Sequence, residues 1–371
     1  MFLTVIVFIA ILSVLVLVHE FGHFLVAKKL KIKVEEFGFG LPPRALSIKR
    51  GETVYSINWL PIGGFVRLYG EDEAGSGTVK VKTKKPVITD TSRAFFARPV
   101  WQRAAVSIAG VAMNFLLAVV IISYLFSAVG VPVLGDKVVV SNIVKNSPAA
   151  VAGLKNGDVI LSINNTKIKE PNQLILLTKK HLGEKLTLEI NREGKNEKVS
   201  ITPRKTYPSD EGPMGVTISQ DIKTVKYPWY QAPFLGTKEA LYESWLIASG
   251  IATVLYQLVF FGVSPQGVAG PVGIAELTGQ FVQIGPYAVL SFVSLLSLNL
   301  AILNILPFPA LDGGRLLFIV IEAVFRRKVN QKFESYAHAV GMAILLSLIA
   351  LITVHDLIRL FTGQPLLPKI Q

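Results

Sequence analysis

The sequence predicts a helical membrane protein of about four transmembrane helices, with a membrane-associated β-hairpin and one inserted α+β domain. Three observations carry this expectation. Hydrophobic residues make up 51% of the 371-residue chain and charged residues only 17%, against roughly 25% charged in soluble domains. Four uncharged runs read as crossing a bilayer, 2–18 (apolar on to Ala27), 104–128, about 287–311 and 337–354, and a further one, 244–263, has the length but is ambiguous. Between the second and third, residues 134–220 alternate short strand-like and helix-like patterns, a soluble domain of roughly 85 residues.

Nothing basic precedes the first run, and Lys28, Lys29, Lys31 and Lys33 follow it. It therefore reads as a retained helix rather than a cleaved signal peptide, with its N-terminus outside and its C-terminal end in the cytoplasm. The segment 28–98 holds 14 Lys/Arg against 7 Asp/Glu, as a cytoplasmic loop should, whereas 129–286 holds 16 against 13 and suits the outside. The net charge of +13 is thus assigned to membrane orientation rather than to nucleic acid.

Within the first loop, the β-patterned runs Ala45–Ile48 and Thr53–Trp59 flank the turn signal Lys49-Arg50-Gly51-Glu52, and 37–70 reads as a hairpin, either on the surface or, with its apolar ends beside the membrane, dipping into it against protein. Residues 71–92 are polar and read as a mobile loop. In the inserted domain, Ser147 is placed to cap a helix with Pro148 at its first position, Gly153 closes it, and Gly157-Asp158 turns into the next strand. The domains expected are 1–128 with two transmembrane helices and the hairpin, 129–222 soluble, 223–286 a linker with an interfacial helix, and 287–371 with two more transmembrane helices.

The chemistry sits in the first helix, as His19-Glu20-Phe21-Gly22-His23. Helical positions i and i+4 share a face, so both imidazoles can bind one Zn²⁺, and Glu20 can take a proton from the attacking water and return it to the leaving amine. A chance HExxH in such a chain is roughly a one-in-a-hundred event, and rarer inside a membrane helix, where each ionisable group is costly. With no cysteine in the chain, the third ligand must be His, Asp or Glu. His181, His338 and His355 read as satisfied or interfacial histidines. Asp312 is the better candidate, because Pro307, Pro309, Gly313 and Gly314 break the third span around it.

His19 lies about 13 Å inside the cytoplasmic end of its helix at 1.5 Å per residue. Asp312 meets it only if the third span runs inward. Residues 244–263, apolar and long enough to cross, are therefore expected to lie along the outer interface or against the bundle, with Gly267–Gly273 a turn-rich link to the third span.

The inserted domain resembles a bacterial PDZ domain through Ala152-Gly153-Leu154-Lys155-x-Gly157-Asp158, with Met214-Gly215-Val216 resembling its carboxylate-binding loop for peptide C-termini. The chain as a whole resembles the site-2 protease family of intramembrane zinc metalloproteases, of the bacterial regulator-of-sigma-E protease type. HEFGH matches the family's first motif and Asn304-x-x-Pro307-x-Pro309-x-Leu311-Asp312-Gly313 its second. Phe37-Gly-Phe-Gly40 and Pro61-x-Gly63-Gly64-Phe65 match its membrane hairpin, Ala109-Gly110-x-x-x-Asn114-Phe115 its second span, and Ala269–Ala275 the stretch before its third span.

The resemblance implies one zinc held by His19, His23 and Asp312, with Glu20 as general base. Asn304 would bind substrate or stabilise the transition state. Asn114 would hold substrate or the hairpin, and Gly63, Gly64 and Phe65 would belong to a hairpin that pairs with unwound substrate. It implies cleavage of single-span membrane proteins (anti-sigma factors, remnant signal peptides) after a prior cut, in a bacterial cytoplasmic membrane with the PDZ domain outside. Val111 stands where the family often has proline, and there is room for one PDZ domain where many relatives have two. A metal-ion transporter leaves Glu20 superfluous, and a non-catalytic PDZ scaffold leaves HExxH and Asp312 without a purpose.

Overall fold

The computed structural model describes residues 2–71, 91–208, 211–261 and 269–362. The loop expected over 71–92 falls almost wholly outside them. Two compact units emerge, one of residues 1–129 with 228–371, the other Gly130–Tyr227.

In the first unit α1 (Phe2–Lys29) leads into a hairpin of β1 (Val34–Arg50) and β2 (Thr53–Leu68), then α2 (Val100–Ala128). Arg50 pairs with Thr53 across a tight turn at Gly51 and Glu52. The ribbon folds back on itself. Residues Glu36–Phe39 partner 67–64 in descending order and also 54–57 in ascending order. Four short segments therefore lie side by side, in the order 64–68, 34–39, 53–58, 44–50. Among the described residues the last is an open edge. Leu46, Ile48, Ile57 and Trp59 are strongly exposed there, and Leu46 faces Ile57 across the pair, an apolar face suited to lipid. At the turn, Glu52 accepts from Arg93 (2.6 and 2.9 Å) and Lys28 (2.9 Å), tying the hairpin to the end of α1.

The second unit holds β3 (Val131–Ile143), α3 (Pro148–Val151), β4 (Val159–Ile163), β5 (Thr166–Lys167), α4 (Pro171–Lys180), β6 (Leu186–Arg192), β7 (Lys195–Ile201) and β8 (Val216–Val225). The sheet runs β7-β6-β4-β3-β8, with β5 on β4. Alternating apolar residues of β4 and β6 (Ile160, Leu186, Leu188, Ile190) pack with Leu174 of α4 and Met214 into one core. Ser147 Oγ accepts from Ala150 N–H and caps α3. Asp158 is bound by Arg192 through two bonds of 2.8 and 2.7 Å. The unit is the inserted PDZ domain.

After it come α5 (Ala232–Phe261), α6 (Pro271–Ile284), α7 (Pro286–Ile305), α8 (Asp312–Phe325) and α9 (Gln331–Thr362). Among the described residues four helices are long and apolar enough to cross a membrane: Leu3–Lys29, Val100–Ala128, Pro286–Ile305 and Lys332–Thr362. The third uncharged run stops being helical at Ile305, where Pro307 lacks an N–H to continue it. The fourth helix outruns its uncharged stretch at both ends, because charge limits burial in lipid and not helix formation.

α5 lies against the bundle. Gly236 abuts Ser123 of α2, and Ala240 packs with Ala118, Ile122 and Leu298. The last three residues of the stretch read as a link, 271–273, are instead the start of α6, where Asp356 of α9 accepts from both Gly270 and Gly273 N–H (2.9 Å each) and caps the helix.

Candidate metal centre

α1 places His19 and His23 one turn apart on a buried face. α2 crosses this face closely at two glycines. A Cβ on Gly22 would stand 2.3 Å from the Ala109 carbonyl, and one on Gly110 would stand 2.4 Å from His23 Nε2 and 2.7 Å from His19 Nε2. Glycine at 110 thus forms the floor of a space into which both imidazoles point.

Asp312 arrives from the third span. The chain leaves α7 at Ile305, turns through Leu306–Leu311 and starts α8 at Asp312. A Cβ on Gly313 would meet the Leu306 carbonyl at 2.1 Å, and one on Gly314 the Phe308 carbonyl at 2.3 Å. Only glycine lets the first turn of α8 nest against that loop. Asp312 Oδ2 then lies 2.9 Å from His19 Nε2 and 3.2 Å from His23 Nε2, and the two Nε2 atoms are 3.2 Å apart. Ligands about 2.0–2.1 Å from a tetrahedral zinc lie about 3.3 Å from one another, so the three atoms are spaced as one ion requires. Among the described residues this is the one His/Cys/Asp/Glu group that converges so.

The surroundings fix the tautomers a metal needs. His23 Nδ1 donates to the Val106 carbonyl at 2.7 Å, which leaves Nε2 with its lone pair toward the ion position. His19 Nδ1 lies 3.3 Å from the Asn114 carboxamide nitrogen, while Asn114 Oδ1 is buried without a partner among the described residues. Rotating that carboxamide by half a turn sets Oδ1 on a protonated Nδ1, the state a ligating Nε2 requires. The donor set and this orphaned oxygen both fit zinc.

Glu20 stands beside the group and outside it. Its Oε2 accepts from Val66 N–H of β2 at 3.0 Å. The strand follows α1 step by step: Ser13 Oγ donates to the Pro61 carbonyl at 2.8 Å, Gly63 lies on Val16, and Gly64 on Leu17. Gly63, Gly64 and Phe65 are therefore neighbours of the helix that carries HExxH. One turn past Asp312, Arg315 donates to Glu71 at 2.6 Å and lies over the Phe95 ring, joining α8 to the end of the hairpin.

The other expected site residues divide. Asn304, in the last turn of α7, is half-buried, and among the described residues its carboxamide makes no hydrogen bond. Asn114 is fully buried on His19, so it faces a ligand histidine and not an incoming chain. Met214 is a core side chain of the PDZ domain; Gly215, at φ +70, and Val216 lead into the edge strand β8. His181 pairs with Glu184 in the PDZ domain, and His355 is exposed. The Val106 carbonyl and the Val66 N–H are backbone groups with no signal in side-chain patterns. Gly110 stands in the second-span motif, but its role as the floor of the site is readable only once α1 lies across it.

Fold and site together define a polytopic helical membrane protein with an inserted PDZ domain and a His19, His23 and Asp312 group that could hold a metal ion. The peptidase family M50 profile matches residues 7–348, and the chain belongs to that family of zinc metalloproteases, the site-2 proteases. It is 32% identical to the zinc metalloprotease RasP of Geobacillus kaustophilus over 96% of this chain and 98% of the relative. It is 31% identical to the regulator of sigma-W protease RasP of Bacillus subtilis, over 96% and 99%. Among solved structures, the PDZ domain of an SdrC-like protein from Listeria monocytogenes aligns with 24% of this chain and 93% of its own, at 26% identity and a TM-score of 0.21.

Proposed function

We propose that this bacterial membrane metalloprotease cuts single-span membrane proteins within the bilayer, after another protease has removed their outer part. The observation that carries the reading is the convergence of Asp312, at the start of α8, on His19 and His23 within the membrane-spanning helix α1. A hydrolytic site at that depth has its natural substrate in a membrane segment.

His19, His23 and Asp312 hold the zinc, and Asn114 orients His19. A zinc ion held there would supply Lewis acidity toward the attacking water and the scissile carbonyl. Glu20 is the general base; it removes the water's proton and delivers it to the leaving nitrogen. Asn304, whose carboxamide makes no hydrogen bond among the described residues, is the group available to donate to the developing oxyanion. A scissile bond must leave its helix to be attacked, and an extended chain in lipid needs partners for its N–H and C=O groups. The open hairpin edge at 44–50 offers them by strand addition.

The N-terminus and PDZ domain lie outside. α5 starts beside Ser123, outward of the metal level on α2. The chain returns at Gly270, capped by Asp356, 18 residues and so about 27 Å along α9 from His338. Both ends of this excursion are on the outer side, as a non-crossing α5 requires. β8, an edge strand, can receive a trimmed C-terminus beside Gly215 and Val216. The B. subtilis relative is named for sigma-W, which favours membrane-bound regulators of a sigma factor as substrates, with remnant signal peptides as the second class.

Neither a transporter nor a scaffold uses Glu20 as the geometry does. The test is cleavage of a single-span protein by the purified chain in detergent, wild type beside Glu20→Gln. Glu20→Gln should keep one zinc per chain and lose cleavage. Loss of the metal instead would make Glu20 a ligand, and equal cleavage by both would remove it from the chemistry.

A further inference from the structure

The loop that delivers Asp312 is held from behind by α9. Ala310, two residues before the aspartate, has φ +86, the largest positive φ among the described non-glycine residues. An L-residue with a Cβ does not stay there unassisted. The partner of its N–H is His338, whose Nδ1 accepts at 2.9 Å. One turn on, Gly341 lets α9 close on the loop, since a Cβ there would stand 2.4 Å from the Pro309 carbonyl. The imidazole is 4% exposed and packs against Phe318 of α8. Its Nε2 has no partner among the described residues. A buried polar ring is costly to place in a membrane helix, and its one hydrogen bond goes to the strained residue of the metal loop.

We propose that His338 is a positioning residue for the metal centre. Its neutral imidazole, accepting at Nδ1, holds Ala310 in the left-handed region and so keeps the Asp312 carboxylate opposite His19 and His23. Without that acceptor Ala310 relaxes to negative φ, and Leu311 and Asp312 swing away from the histidines. This rests on Asp312 being a zinc ligand.

The experiment measures the Kd for Zn²⁺ of the full chain in detergent by competition with a chelator. His338→Leu should raise it by about 10–100-fold, the usual cost of losing an outer-shell partner, while His338→Asn, which keeps an acceptor near the Nδ1 position, should stay within about threefold of wild type. Ala310→Gly added to His338→Leu should recover most of the loss, because glycine holds positive φ without a tether. A packing defect at 338 would not be repaired from position 310. Wild-type affinity in His338→Leu, or no recovery with glycine, overturns the proposal. Should His338→Leu fail to accumulate, Ala310→Val leaves the histidine and raises the strain; its Kd should rise by about tenfold, and an unchanged Kd overturns the proposal equally. Asp312→Ala tests the ligand assignment separately, since tight zinc binding there defeats that assignment whatever His338 does.

Discussion

Gly110 offers a sharp test of the metal centre. An alanine at 110 would place its Cβ 2.4 Å from His23 Nε2, 2.6 Å from His19 Cε1 and 2.7 Å from His19 Nε2. Ordinary contacts between such atoms lie at about 3.5 Å or more, so either the imidazoles retreat by about 1 Å or α2 backs away. Zinc ligands tolerate about 0.2 Å, so a 1 Å retreat breaks the site. Retreat of α2 is opposed by the Gly22–Ala109 approach, and such overpacking costs about 1–3 kcal/mol. Gly110→Ala should therefore lower zinc affinity by about a hundredfold or more, with cleavage falling in step. The measurement is zinc competition against a chelator, with thermal unfolding of the zinc-free protein alongside. Gly250→Ala is the control, because a Cβ there has nothing within 4 Å among the described residues, and its zinc affinity should match wild type. If Gly110→Ala bound zinc within about threefold of wild type and still cleaved, the ion would not sit over Gly110 and the ligand geometry would be wrong.

Asn114→Leu should cost about 10–100-fold in zinc affinity by freeing His19 Nδ1, read by the same competition; an unchanged Kd would return Asn114 to a substrate role. Glu52 is held at about 2 by Arg93, against the opposing effect of burial, with further help from Lys28. A depressed carboxylate contributes stability above its unfolded value of about 4.3 and loses it as pH falls through the folded one. Hairpin protection from hydrogen exchange should thus weaken between about pH 4 and 2, and Glu52→Gln should flatten that response. Met214→Ala should destabilise the PDZ domain by about 2–5 kcal/mol through the cavity left in its core, seen in its unfolding transition. A reporter fused after Gly212 should be silent if cytoplasmic-dependent and active if external; the reverse would invert the topology.

The strongest local signals were the ones the fold kept. The apolar runs became the four candidate spans, because a run with no charge has few stable places other than lipid or a core. The Ser147-Pro148 cap, the Gly157 turn and the Arg50–Thr53 turn each depend on neighbours in sequence, and each formed where expected. Arrangements that depend on distant partners were legible only in outline: 37–70 read as a hairpin, but how its segments stack did not. Phe37-Gly-Phe-Gly40 is poor strand sequence, yet it becomes the inner segment of the hairpin because chain pairs with it on both sides. α6 forms because a carboxylate 86 residues away caps it.

The same division runs through the site. HExxH on a helix determines by itself that two imidazoles share a face with a carboxylate beside them, since 3.6 residues per turn leaves no other arrangement. The composition determined that no thiolate could join them. Asp312 was legible as their partner from the broken third span and the family motif, but the distance at which it meets them, the turn of Asn114 to His19 and the meeting of Val66 with Glu20 were decided only by helix crossing and strand placement. Those contacts join residues 46 to 293 positions apart. A sequence fixes what neighbours along the chain must do; which distant groups then come within 3 Å is settled by packing, where one missing Cβ at Gly110 decides whether the site has room to exist.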